Sequence, residues 1–448
     1  MEKPTVFTED DLAKIRKGLD GYRVPGAYEP GRWMVSKYTR DERILDKRLP
    51  ANVIFRDMTL RVVEQISGVS LSADDRITFL RAIAATGIAS IQPSAFRRGH
   101  DLAFMKREAE AIRDVNPNCE IVYGGLSTEA ELELAAEAGY DAVDVWSTFL
   151  GDVAPSCAGA VYHRAWQERE WRDLRFPKRP EDQVARSVRF IELADKYGIH
   201  IGGAVNLLSF CDESYVDLYV RTVAAAGCKE VVLADGAGGV SPEVFGHLVG
   251  VAKAAAPDVT IGVHTHNNFG TGISAAVESI KAGATLIEVS VNGYEEHPGN
   301  PDLATLAIAL RALYGVDSGI DLSRMWELAR LGEDLTGLTL ERNHPVVGIA
   351  IYTGGGGDEY VQEHHVDPLI HASIAPEAIG GSRQVDVGVT TGPFTMWDKL
   401  DELGIDVDSR EIVEKVLGLC KERLAAADHG IDDDDIRAVA AEVLGSRV

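Results

Sequence analysis

From Asn52 onward two hydrophobic patterns alternate along the chain. Short runs rich in β-branched and apolar residues are followed by longer segments in which apolar residues recur at helical spacing. NVIFRD (Asn52–Asp57), IASIQ (Ile88–Gln92), EIVYG (Glu120–Gly124), AVDVW (Ala142–Trp146), IGGAV (Ile201–Val205), EVVLAD (Glu230–Asp235), TIGVHTH (Thr260–His266) and LIEVSV (Leu286–Val291) predict eight strands. A helical pattern follows each one, as in ADDRITFLRAIAAT after the first and SPEVFGHLVGVAKAAA after the sixth. There Ser241 reads as an N-cap with Pro242 at the first helical position. Gly87, Gly139, Gly198, Gly227 and Gly283 stand just before strands, where helix C-caps belong.

Eight βα units in about 260 residues predict an α/β fold of the (β/α)8 TIM-barrel type. A doubly wound sheet is the alternative, but it usually has about five or six strands and a glycine-rich fingerprint after the first. The expected organisation is an N-terminal arm over residues 1–50 with a helix at Glu9–Leu19, a barrel over 51–315, and a mainly helical region over 316–448. Pro155–Pro180, aromatic and basic, interrupts the pattern. It reads equally as a loop over the barrel mouth or as a packed surface or oligomer contact. The acidic run Asp432–Asp435 suits the first turn of a helix, where the dipole favours anions.

Charge narrows the partners. Across 448 residues, Lys and Arg total 45 against 70 Asp and Glu, a formal net charge of −25. Such a surface repels phosphate backbones and anionic membranes, yet a locally positive pocket still admits an anionic small molecule. No apolar run reaches membrane-spanning length, and the polar, mixed-charge N-terminus is unlike a signal peptide, so a cytoplasmic protein is expected. Five scattered cysteines without a CxxC suggest neither a disulfide framework nor a zinc–thiolate site.

In a barrel of this kind the chemistry sits at the C-terminal ends of the strands. His264 and His266 end the seventh strand and, two residues apart, share a face. Neutral imidazoles suit a divalent first-row metal; the alternative is a pair of satisfied core histidines. After the eighth strand, NGYEEHPGNPDLATL contains Asn300, which either caps the next helix or turns its amide oxygen toward a metal. After the first strand come Arg61 and Gln65. Arg61 is a fixed cation able to grip a carboxylate or stabilise an enolate oxygen, unless it makes a surface ion pair.

These segments resemble a known family. DMTLRVVEQISGVSLS is similar to the DTTLRDGEQSPGVSLS signature of 2-isopropylmalate and homocitrate synthases, HTHNNFG to their HxHND.G, DGAGGVSPE to their DTVGxxTPE, and NGYEEHPGNPDLATL to their NGxGERxGNxxLEE. Order and spacing agree over residues 50–315. The wider group is the DRE-TIM metallolyases, which also holds 3-hydroxy-3-methylglutaryl-CoA lyase and 4-hydroxy-2-oxovalerate aldolase.

The resemblance implies C–C bond chemistry through an enolate, with a divalent cation (Mg, Mn or Zn) on His264, His266 and Asn300, and Arg61 as the catalytic arginine. It also marks departures. The family carboxylate beside the arginine falls on Val62, so Asp57 or Glu64 would have to replace it. An acid expected after the second strand falls on Gln92, and another after the fifth on Asn206; with Gln65 these are the expected substrate-binding residues. The histidine that assists enolate formation falls near Glu359, the expected base in its place. The expected function is condensation of an acyl-CoA with a 2-oxo acid by a homodimer with small-molecule substrates. The alternatives are a lyase or aldolase cleaving a 3-hydroxy acid, and a barrel that has lost catalysis and binds a metabolite or partner.

Overall fold

A computed structural model describes residues 5–44, 49–93, 101–125, 128–147, 180–353, 357–383, 386–426 and 430–445. The interrupting segment Pro155–Pro180 lies, up to Pro180, outside the described residues, as do Cys157 and residues 354–356. The chain divides into two compact units, Leu45–Leu340 and the pair of segments Met1–Ile44 and Glu341–Val448.

The larger unit is a closed ring of eight parallel strands: β1 (Ile54–Asp57), β2 (Ser90–Ile91), β3 (Glu120–Tyr123), β4 (Ala142–Ser147), β5 (His200–Val205), β6 (Glu230–Asp235), β7 (Thr260–Thr265) and β8 (Leu286–Val289). The ring closes because β8 pairs with β1, Leu286 opposite Ile54, and with β7, Leu286 opposite Gly262. All eight sequence-predicted strands are present: β6 spans the expected residues, β4 and β5 are each one residue longer, and the other five are shorter. The helices that cover them are α1 (Ala73–Ala84), α2 (Leu102–Val115), α3 (Glu129–Glu137), α4 (Pro180–Tyr197), α5 (Glu213–Ala225), α6 (Pro242–Ala255), α7 (Gly272–Lys281) and α8 (Leu303–Ala309). Ser241 caps α6 as expected, its Oγ accepting from Val244 N at 3.5 Å. None of the described helices is long and apolar enough to cross a membrane.

The barrel boundary differs from the expected 315. A further helix, α9 (Met325–Thr336), belongs to the barrel unit because its buried face, with Met325, Leu328 and Ala329, packs on α1 and on the turn after β8. Gly332 permits the approach: a Cβ there would stand 3.0 Å from Asn292 Nδ2 and 3.4 Å from Phe79. The other unit contains the helix Glu9–Leu19, found where the sequence placed it, and Asp358–Val366, Pro393–Glu402, Arg410–Ala426 and Asp433–Leu444. Its core is built from Met396, Leu400, Val413, Val416, Cys420, Ile436 and Val439. Asp432 closes a capping box with Asp435 at the start of the last helix.

The barrel interior is layered. An apolar layer of Ala204, Val232 and Leu286, with Trp146 against it, leaves no space at Gly262, where a Cβ would stand 2.9 Å from Leu286 Cδ2. Below it lies a charged layer. Arg56 on β1, 1% exposed, bonds Glu230 Oε1 at 2.6 Å, Glu120 Oε2 at 3.0 Å and Ser90 Oγ at 2.9 Å, and pairs with Asp144 at 3.6 Å. Burial pushes the Asp144 carboxyl up to about 7, although Arg56 pulls it down. An aspartate raised in the folded state costs stability progressively as pH rises from its unfolded value, near 4, through about 7. Replacing Arg56 by Leu removes the shared counter-charge, so the loss, about 3–5 kcal/mol for a broken buried pair, should be larger at pH 8 than at pH 5. Urea unfolding at both pH values measures it.

Candidate functional site

β7 delivers the two histidines. His264 lies on the strand and His266 one residue beyond its end, on the same side, 4% and 6% exposed. Their Nε2 atoms stand 3.1 Å apart. Glu288 on β8 faces the outer nitrogen of His264, with Nδ1 to Oε2 at 2.8 Å. A carboxylate only accepts, so His264 carries its proton on Nδ1 and turns the Nε2 lone pair inward. The Glu295 carboxylate closes a triangle with the two Nε2 atoms, its Oε2 3.3 Å from each. Burial alone would lower the His264 pKa, but the Glu295 charge and the Glu288 hydrogen bond raise it to about 9. Burial likewise opposes the charge on Glu295, and the two imidazoles hold its carboxyl well below the usual range.

The loop after β8 places Glu295. It opens with a 3₁₀ turn, Val291–Gly293, in which Asn292 is left-handed at φ 57°. Asn292 Nδ2 donates to Ala329 O on α9 at 2.9 Å and to the Tyr294 hydroxyl at 3.0 Å. Val291 N donates to Thr59 Oγ1 at 2.8 Å, and that hydroxyl donates to Asp57 Oδ2 at 2.7 Å, tying the β1 and β8 loops together. Asn267 N reaches Gly299 O at 2.9 Å, tying in the β7 loop. Gly299 has φ +81°, and a Cβ there would lie 1.7 Å from Gly293 O.

Asn300 is 2% exposed, and neither its Oδ1 nor its Nδ2 has a hydrogen-bond partner among the described residues. It is not a helix cap: Asp302 caps α8, accepting from Thr305 N at 2.9 Å. Arg61 lies in the turn Thr59–Val62, 8% exposed, its guanidinium 4.8 Å from the Trp146 ring centre. It makes no salt bridge among the described residues and is buried, so the alternative of a surface ion pair finds no support there. Gln92 follows β2, fully buried. Its Nε2 donates to Asp144, and its Oε1 has no partner among the described residues. Gln92 and Arg61 lie side by side over Gly124, whose missing Cβ would be 2.6 Å from Gln92 Oε1 and 3.0 Å from Arg61 Cδ.

Other expected residues stand apart. Gln65 ends the 3₁₀ turn Val63–Gln65, and Asn206 follows β5; both are half-buried, and neither side chain bonds the histidine cluster among the described residues. Glu359 lies in the first turn of Asp358–Val366, in the other unit, and is exposed. Neither carboxylate expected to replace Val62 joins the histidines. Asp57 accepts from Thr59 N at 3.0 Å and from Thr59 Oγ1, and burial pushes it up to about 7. Glu64 is held by Arg76 Nη1 at 2.8 Å and Leu71 N at 3.0 Å. The converging group is His264, His266 and Glu295. Glu295 and Glu288 are the residues that the sequence reading missed. Both had a signal: Glu288 sits two residues after Leu286 on a buried strand, and Glu295 falls on a glycine of the NGxGERxGN signature.

The donor set fits a divalent cation. Nitrogen and oxygen ligands about 2.0–2.2 Å from one ion, at ordinary angles, lie roughly 3.0–3.5 Å from each other. The separations here are 3.1, 3.3 and 3.3 Å.

Residues 170–331 match the family model described as HMGL-like. The probable 2-isopropylmalate synthase of Ignicoccus hospitalis is 27% identical over 403 residues, 90% of this chain and 94% of that protein. The homocitrate synthase of Methanothermobacter thermautotrophicus is 27% identical over 86% of this chain and 93% of its own length. Among solved structures, the HMG-CoA lyase of Brucella melitensis shares the fold with a TM-score of 0.54 at 19% identity, covering 64% of this chain and 99% of the lyase.

Gly299→Ala forces a side chain into the Gly293 carbonyl at a positive φ. It should destabilise the barrel unit by at least about 2 kcal/mol, the strain of a left-handed residue plus the backbone shift. Denaturant unfolding of the variant checks this.

Proposed function

We propose that this chain, which carries an HMGL-like domain of the DRE-TIM group, is a metal-dependent acyltransferase that joins the enolate of an acyl-CoA to the ketone of a 2-oxo acid. The observation that carries the reading is the facing pair of imidazole Nε2 atoms, 3.1 Å apart at the C-terminal rim of a closed barrel. His264 and His266 would hold the cation, and Asn300, with both amide atoms unpartnered among the described residues, would support it. When bound, a divalent cation polarises a ketone oxygen as a Lewis acid.

The protein's own groups do the rest. Glu288 keeps the His264 Nε2 lone pair directed inward. Arg61, with no salt bridge among the described residues, offers a buried guanidinium to the substrate carboxylate or the enolate oxygen. The Gln92 Oε1, buried and without a partner among the described residues, would accept a hydrogen bond from a substrate or product hydroxyl, and Gln65 and Asn206 are the further proposed substrate-binding residues. A synthase is favoured over a lyase because the synthase relatives match 86–90% of this chain, including the helices after the barrel, whereas the lyase structure covers 64%. A cytoplasmic homodimer belongs to the same proposal, by analogy with related barrels.

The direct test mixes the protein and Mn²⁺ with acyl-CoA thioesters and a panel of 2-oxo acids, and follows release of free thiol with mass detection of the hydroxy acid. Product from any pair supports the reading; cleavage of 3-hydroxy acids without condensation overturns it. Arg61→Ala should lower kcat by about 10²–10³-fold, the usual cost of one preorganised charge, while lowering Tm by no more than roughly 4 °C. Metal affinity should also depend on pH. The proton on His264, with its pKa near 9, must leave before a cation binds there. Apparent Mn²⁺ affinity should therefore rise by up to about tenfold per pH unit between pH 6.5 and 8.5. Competition with a chelating indicator measures it.

A further inference from the structure

Resting on the metal reading above, we propose that Glu295 is the carboxylate ligand of this site, taking the place in the β8 loop of the charge that the family signature carries at the position of Val62 in the β1 loop. Strands β1 and β8 are neighbours in the ring, so side chains from their two loops can reach one point. Position 62 offers no ligand: Val62 is fully buried and apolar. Position 295 offers one where the signature has glycine. The loss and the gain thus fall on adjacent loops of one site.

Three observations favour a ligand over a structural ion pair. The Glu295 carboxylate is 6% exposed, and its close charged partners among the described residues are the two imidazoles alone. A desolvated carboxylate of this kind needs a cation beside it. Its Oε2 lies 3.3 Å from each Nε2, and apart from the two imidazoles no described residue offers it a donor, although it is buried. The competing carboxylates are held elsewhere: Asp57 by Thr59, Glu64 by Arg76 and Leu71, and Glu288 by the outer nitrogen of His264. The move leaves Arg61 between Val62 and the neutral amide of Gln92, so a substrate anion meets the guanidinium without a competing carboxylate from either.

The test uses the full chain, stripped with a chelator and titrated with Mn²⁺ by calorimetry, with metal content and Mn²⁺-induced Tm shift as second readouts. Wild type should bind about one equivalent and gain Tm. E295Q should bind at least about 100-fold more weakly and gain none. E295D, which keeps the charge on a shorter arm and so protects the fold, should fall about tenfold. In the double variant V62D/E295Q at least tenfold of the lost affinity should return. Equal Mn²⁺ affinity in wild type, E295D and E295Q overturns the assignment and leaves the metal reading standing. Failure of V62D to restore binding in a folded E295Q protein overturns the exchange of positions. Absence of Mn²⁺, Zn²⁺ and Mg²⁺ binding by wild type overturns the metal reading itself.

Discussion

A carboxylate oxygen and two imidazole nitrogens, all within 3.3 Å of each other and out of water, require a positive charge shared among them. The rest of the barrel rim is arranged around that requirement. Glu288 fixes the tautomer of His264, so that its lone pair and not its N–H faces the group. A proton on His264 satisfies the requirement, and a divalent cation satisfies it with more charge and more ligands. The same geometry that makes His264 unusually basic therefore makes it a strong ligand, because both properties measure the attraction of Nε2 for a cation.

That geometry depends on a loop, and loops are costly to fix. The β8 loop is held at four points: by Thr59 on the β1 side, by Asn267 on the β7 side, by Ala329 on α9, and internally by Gly293 O accepting from Asn300 N at 3.2 Å. Asp57 contributes to this and not to ligation. Its two bonds to Thr59 orient the hydroxyl that accepts from Val291 N, so a buried acid at a strand end serves as a brace. For the same reason α9 belongs with the barrel: without it Asn292 would lose the acceptor that holds its left-handed turn.

The ring was legible in the sequence because strands buried on both faces read as short apolar runs, and because positive-φ glycines closed the helices where the pattern broke, as at Gly227 (φ 99°) and Gly283 (φ 111°). The histidine pair was legible because period two fixes a shared face. Glu295 was legible only as a departure from the family signature's glycine, because a single glutamate in a polar, glycine-rich loop otherwise looks like a solvated residue until the loop is folded against β7. Arg56 was hidden for a related reason. Glu120 and Glu230 open strands, where charges normally face water, and only closure of the ring brings both onto one guanidinium. Asn300 was legible as an alternative of two, and the capping of α8 by Asp302 removed the local one.

The two charged systems of the barrel meet at Glu288. Its Oε2 holds His264 at the rim, and its Oε1 lies 3.9 Å from Arg56 Nη1 in the floor. Burial would raise the Glu288 carboxyl, but His264, Arg61 and Arg56 together hold it below the usual carboxylate range. Glu288 therefore stays an acceptor, which a protonated acid in its place would not reliably be. In most barrels the N-terminal face concerns stability and the C-terminal face chemistry. Here one side chain touches both the charge of the floor and the imidazole of the rim, so Glu288, one of the four acids gathered around Arg56, sets part of the basicity with which His264 meets a cation.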